Sequence, residues 1–170
     1  MRKITNHISV LVCSLFLTVV FSGCEKEDKV EPVKESAGVN VTSRVFSVPS
    51  WAYSSPVHYA SLSVPELTAD NVDKAAVLVY INLAGSNWFA LPYTQYDSPY
   101  NYYMGFSAGV GNVQITWFYD SSLSTGDDPN TYFGASVRCK VVVIPPQAQR
   151  LHPKVDYKNY KEVEEAFGLE

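Results

Sequence analysis

The chain has 170 residues, of which 46% are hydrophobic, 18% charged and 14% aromatic, enough apolar material for one domain with a core and too much for a chain disordered throughout. Twelve Tyr, eight Phe and three Trp against two Met favour strands over a helical bundle. Thirteen Lys and Arg against seventeen Asp and Glu give a net charge of -4, so the chain has no basic footprint for a nucleic-acid backbone and no nucleic-acid partner is expected.

Arg2 and Lys3 open the chain, and an apolar run over 8–21 follows, broken only by Ser9, Ser14 and Thr18. This is the order of a secretory signal. At about 14 residues and 1.5 Å per residue the run falls short of a ~30 Å hydrocarbon layer. It ends in Phe21-Ser22-Gly23-Cys24, and here the chain resembles a bacterial lipoprotein precursor, in which small residues precede a cysteine that is lipidated and becomes the mature N-terminus. Phe21 stands where that family usually has Leu. The resemblance implies that residues 1–23 are a signal peptide and that Cys24 carries palmitate-type acyl chains as a membrane anchor. Lys26-Glu27-Asp28 resembles the export tag of Bacteroidetes-type surface lipoproteins. The implied place is the outer membrane, lipid-anchored and exposed at the cell surface, with a periplasm-facing anchor as the alternative. Residues 24–40 read as a flexible tether, because positions 25–40 hold eight charged side chains, Pro32 and Gly38 but no aromatic. A flexible chain of this length spans on average about 20–24 Å.

Cysteine use denies the fold a disulfide staple. Cys13 leaves with the signal and Cys24 bears the lipid, so Cys139 is the one free thiol of the mature chain. It alternates with Val137, Val141 and Val143, which makes it a small buried hydrophobe. Removing residues 1–23 takes away Arg2 and Lys3 and leaves 11 basic against 17 acidic side chains, a net charge of -6.

Residues 41–145 read as the folded domain. Segment 57–64, VHYASLSV, is a mixed strand closed by Pro65, and in the polar stretch after it Thr68 can cap one short helical turn. Segment 75–83, AAVLVYINL, has the length and apolarity of a buried strand, and 86–93 returns from it through a hairpin around Ala84-Gly85-Ser86. Further strands are expected over 100–108, 113–119 and 132–144, with a turn at Gly109, Gly111 and Asn112 and a polar loop over 121–130. Period-two alternation puts Val113, Ile115, Trp117 and Tyr119 on one face, and turns Arg138 and Lys140 away from Val137, Cys139 and Val141. Six or seven strands at this spacing predict a mainly β fold, an antiparallel β-sandwich of immunoglobulin-like or related type, with one short C-terminal helix.

Residues 146–170 read as an extended, proline-bearing connector followed by that helix, packed on the domain. Asp156 or Asn159 can cap it, Tyr157, Tyr160, Val163 and Phe167 form a stripe interrupted by Glu164, and Gly168 supplies the stop. The spacing of Trp51, the segment 64–68, Val77-Leu78-Val79-Tyr80, Trp88 with Leu91-Pro92-Tyr93, the strand ending in Pro145 and the segment 155–160 resembles a group of Bacteroidetes surface lipoproteins to which no activity is assigned.

Signals for catalysis are weak. His58 and His152 match no zinc spacing and adjoin no nucleophile. Asp127-Asp128 fixes no carboxylate separation of the kind a glycosidase needs. Asp120, Ser122 and Ser124 begin like a calcium loop, but Thr125 and Thr131 stand where its glycine and terminal Glu belong. Asn40-Val41-Thr42 fits a glycosylation acceptor and is a chance match in this setting. No cofactor or metal is expected, and the chain reads as non-enzymatic. One cluster stands out: residues 93–103, YTQYDSPYNYY, hold five tyrosines among hydrogen-bonding side chains, and tyrosine offers a flat apolar face with a polar tip for sugar or protein contact. Tyr96, Asp97, Tyr100, Asn101, Tyr102 and Tyr103 are the candidate ligand-binding residues. The leading reading is a surface-tethered binding module contacting a glycan or another envelope protein through this segment, read as a tyrosine-rich loop with Tyr96 and Tyr100 in it or at its edge. The alternative is a structural or accessory envelope lipoprotein with no small ligand, its tyrosines serving the core.

Overall fold

The computed structural model describes residues 40–83, 85, 87–97, 100–119 and 128–169. The expected signal peptide, Cys24 and nearly all of the tether lie outside these residues, as do Ala84, Ser86 and positions 120–127.

The described residues fold into nine strands and three short helices: β1 (Thr42–Val48), β2 (Ala52–Ser54), β3 (Val57–Ser63), β4 (Ala76–Asn82), β5 (Phe89–Ala90), β6 (Tyr93–Asp97), β7 (Tyr100–Gly109), β8 (Asn112–Tyr119), α1 (Pro129–Phe133), β9 (Val137–Ile144), α2 (Pro146–Leu151) and α3 (Tyr160–Phe167). They form two antiparallel sheets, one in the order β1-β9-β4-β5 and the other β2-β3-β8-β7-β6. The mainly β sandwich with a short C-terminal helix is the architecture expected from the sequence. Between the sheets lie Phe46, Val79, Ile81, Cys139 and Val141 from the first and Leu62, Tyr102, Met104, Ile115 and Trp117 from the second, all buried. These are the inward positions of period-two strands, so alternation alone accounts for the core.

A second apolar layer closes the far side of the first sheet. Val41, Tyr80, Val142 and Ile144 point there, against Ala148 of α2 and Tyr160, Val163 and Phe167 of α3. That layer explains the unbroken apolar runs 76–81 of β4 and 141–144 of β9, which are covered on both faces. It also buries Lys140. This residue turns away from Cys139, as expected, and is only 4% exposed, because α3 lies over that face. Its Nζ donates to the Tyr160 hydroxyl, which in turn donates to Glu164 Oε1 at 2.9 Å, and its ammonium sits 4.5 Å from the Tyr160 ring and 5.3 Å from that of Trp88. Glu164, the flaw in the helical stripe, is the acceptor that ends this chain of bonds.

Three other expectations change. The strand expected over 132–144 begins only at Val137, because Asp128 caps a helix at 129–133: its carboxylate accepts from the amides of Asn130 (2.8 Å) and Thr131 (3.1 Å), Pro129 occupies the first turn, and Gly134 ends it at φ 63°. The connector after β9 is not wholly extended, since Pro146 opens α2, where its missing N–H costs nothing. The run 86–93 serves two sheets, β5 pairing with β4 and β6 with β7, and the Leu91-Pro92 step carries the chain across. In the turn after β3, Asn71 Oδ1 accepts from the Thr68 amide at 2.8 Å and the Thr68 carbonyl accepts from Val72. Of the two candidate caps of α3, Asn159 is the one used, accepting from Lys161 N, and Gly168 closes the helix at φ 63°.

Candidate functional site

The second sheet has one face in the core and one face that no described helix covers. Register assigns the residues of that outer face. Trp117 and Met104 point inward, so their neighbours Thr116, Phe118, Tyr103 and Gly105 point out, and Tyr59 and Val57 join them on β3 and Thr94 and Tyr96 on β6. Tyr59, Phe118, Tyr103 and Tyr96 thus fall on four successive strands, β3, β8, β7 and β6, as a diagonal aromatic ridge about 19 Å long, at the usual ~4.8 Å per strand across the sheet and ~3.3 Å per residue along it. Tyr103 and Phe118 are direct cross-strand neighbours, with rings stacked at 5.1 Å and 19°. Tyr96 is the most open of the four, at 66% exposure. Beside the ridge, Gly105 leaves a shallow gap bounded by Thr116, whose Oγ1 would stand 3.3 Å from any Cβ placed at 105.

The candidate residues sort by the same alternation. Tyr96, Asn101 and Tyr103 share the outer face, with Tyr96 directly opposite Asn101. Tyr102 is 1% exposed and belongs to the core, where its ring lies 4.4 Å from that of Trp117, so it cannot meet a ligand on the outer face. Asp97 and Tyr100 pair in register at the end of the β6–β7 hairpin, so both are strand residues rather than parts of a long loop. Cys24 lies outside the described residues. Tyr93 packs partly on the core and donates to Gln95 Oε1 at 2.6 Å, and burial raises its hydroxyl pKa.

Sequence reasoning missed Tyr59 and Phe118. The signal was present in VQITWFY: once 113, 115 and 117 are assigned inward, Phe118 is a large apolar residue on the outward set. At its β3 end the ridge meets a notch of about 490 Å³ between residues 46–50 and 59–63, and Tyr59, Ser61 and Ser63 line both. The notch exists because the chain leaves β1 at Val48 to join the other sheet at Ala52, so β3 lacks an edge partner beyond Tyr59.

Elsewhere the described residues hold no group of three or more His, Cys, Asp or Glu side chains arranged for a metal. His58 packs against Tyr53 with ring centroids 4.6 Å apart and planes tilted by 42°, and His152 ends α2 with its ring against Phe167. Asp128 is committed to the α1 cap. Burial pushes the Cys139 thiol up to about 12, the wrong direction for a nucleophile. No family model, curated protein or solved structure matches the chain.

Proposed function

We propose that the protein is a non-enzymatic binding module of the outer membrane, anchored through acylated Cys24 and exposed at the cell surface, which contacts a glycan or another envelope protein through the outer face of its second sheet. The observation that carries this reading is an asymmetry. The outer face of the first sheet is covered by α2 and α3, while that of the second bears Tyr59, Tyr103, Phe118 and Tyr96 with nothing described above them. Large aromatic side chains left on an uncovered sheet face are a standing cost in water unless a partner uses them.

The direction of the strands adds support. The described chain begins beside Thr42, and Arg44 at that end reaches Ser63 and Glu66, so the start of β1 and the end of β3 share one pole of the sandwich with the Val110-Gly111 turn. Tyr96 and Asn101 lie at the other pole, roughly 30 Å away along β7 at ~3.3 Å per residue. An anchor preceding residue 40 would therefore leave the tyrosine hairpin far from the lipid.

The test is a screen of the detergent-purified protein over glycans and envelope extracts, run beside Tyr96→Ala and Tyr103→Ala. A response that falls in either variant is expected. Responses indifferent to both would favour the structural role instead, in which the aromatic residues serve packing alone, as buried Tyr102 does. The anchor is tested separately by Cys24→Ser, which should release the protein from the membrane fraction.

A further inference from the structure

Resting on that reading, we infer that the ligand of the outer face is an electrically neutral glycan chain, held along the ridge Tyr59–Phe118–Tyr103–Tyr96. The argument is one of charge. By register, every outward position of β2, β3, β8, β7 and β6 is Ser, Thr, Asn, Gln, Gly, Ala, Val, Tyr or Phe, and none is Asp, Glu, Lys or Arg. Among the described side chains the charged groups stand elsewhere: on α2, α3 and the segment between them, on the turn from Glu66 to Lys74, at the Asp128 cap of α1, and at Arg44, Arg138 and Lys140 of the helix-covered sheet. An acidic polymer or a charged protein patch is bound through complementary charge, and this face offers none.

What it does offer is hydroxyl and amide groups flanking apolar rings. Ser61, Gln114 and Ser107 form one row across β3, β8 and β7, one rung removed from Thr116 and Gly105. Polyhydroxyl ligands need this combination, since hydrogen-bonding side chains can replace water at the hydroxyls while aromatic surface covers the C–H faces of the sugar rings. The core of a protein–protein contact instead favours Met, Trp and Arg and is poor in Ser, whereas the outward set holds Ser54, Ser61, Ser63 and Ser107 and no Met, Trp or Arg. The ridge crosses four strands, so the site fits a run of linked sugars rather than one ring, and the notch beside Tyr59 gives the chain an exit at the sheet edge.

The test is binding of the detergent-purified protein to immobilised neutral polymers, namely glucan, mannan, galactan and xylan, and to polygalacturonate as the anionic comparison. We expect at least one neutral polymer to bind, with an affinity that changes less than about twofold between 50 and 500 mM NaCl. Tyr103→Ala and Phe118→Ala should each weaken it by about tenfold, and Leu151→Ala, on the exposed side of α2, should not. Thr94→Glu provides a variant at an exposed position directly opposite Tyr103: a carboxylate desolvated under the ligand should also weaken binding by about tenfold. Preference for polygalacturonate with strong salt dependence, neutral binding indifferent to Phe118→Ala and Thr94→Glu, or no neutral polymer bound would each overturn the inference. If in the last case a photoreactive group at position 103 still captures a single envelope protein, the binding-module reading survives without it. Capture of nothing ends both.

Discussion

At the residue scale, the instructive groups are those buried against their nature. Lys140 lies buried under α3 against the rings of Tyr160 and Trp88 and donates to the Tyr160 hydroxyl, and a buried ammonium deprived of such a partner is expensive. Tyr160→Phe keeps the ring and removes the oxygen that joins Lys140 to Glu164, so it should lower stability by about 1–3 kcal/mol in urea titration; an unchanged midpoint would show the link to be idle. Cys139 supplies a pH prediction. Burial lifts its pKa from 9.0 to about 12, and burial first, with the Asp156 charge second, lifts that of Tyr80. Both groups are neutral when folded and ionise more readily when unfolded, so above pH 9 the unfolded chain holds fewer protons and stability falls as pH rises toward 12. The urea midpoint should therefore drop between about pH 8 and about pH 11, and Cys139→Ala should flatten the drop although it costs stability at both. Iodoacetamide should spare Cys139 in the folded protein and label it on unfolding. Tyr102 shows what residue-level reading leaves open: in Tyr102-Tyr103 alternation requires opposite faces, but only the pairing with Trp117 and Tyr119 on β8 says which tyrosine meets the core.

At the element scale, β8, read from its alternation, and β3, β4 and β7, read as strand-length runs bounded by turn signals, were legible within a residue or two, because both signals are local in the sequence. Elements set by tertiary partners were not. Nothing in TSRVFSV announces β1 as strongly as its pairing with β9 along its whole length does, and β2 is three exposed residues held by β3. In α1 a single carboxylate overrides the strand propensity of Thr131, Tyr132 and Phe133 by satisfying two amides. Asp128→Ala should then cost about 1 kcal/mol in urea titration, the usual size of a cap removal, and loosen Asn130, whose side-chain amide links Val48, Trp51 and Val137. The outer-face ridge shares this limit: Tyr96 and Tyr103 were visible as a tyrosine cluster, whereas Tyr59 and Phe118 join them only through pairings more than ten residues apart in sequence. The C-terminal helix was readable because its stripe and its Gly168 stop are local. Phe167→Ala, which empties a buried position against His152 and the first sheet, should lower stability by about 3–5 kcal/mol; an unshifted melting midpoint would make α3 an ornament.

At the scale of the whole molecule, the fold is a three-layer slab with poles and faces of different character. One broad face is helical and carries charge, the other is a neutral aromatic sheet, and the described chain begins at the pole opposite the tyrosine hairpin. In the proposed anchored state a tether averaging about 20–24 Å is comparable to the height of the sandwich along β7, roughly 30 Å, so the domain can tilt but its near and far poles keep different mean distances from the lipid. Val110 in the β7–β8 turn, 61% exposed, reports the near pole and Tyr96, 66% exposed, the far one. Buried Cys139 should resist thiol reagents, so a fluorophore can be attached at Val110→Cys or at Tyr96→Cys in otherwise native protein. With the lipidated protein in vesicles whose headgroups carry a quencher, emission from position 110 should be quenched more than emission from position 96, and treatment of unlipidated Cys24→Ser protein with the same vesicles should quench neither. Equal quenching at the two positions would mean that the slab lies flat on the bilayer. In that posture one broad face meets lipid, and stronger quenching of a third label at Gln114→Cys, on the neutral sheet, would show that the face offered to a ligand is the one turned to the membrane.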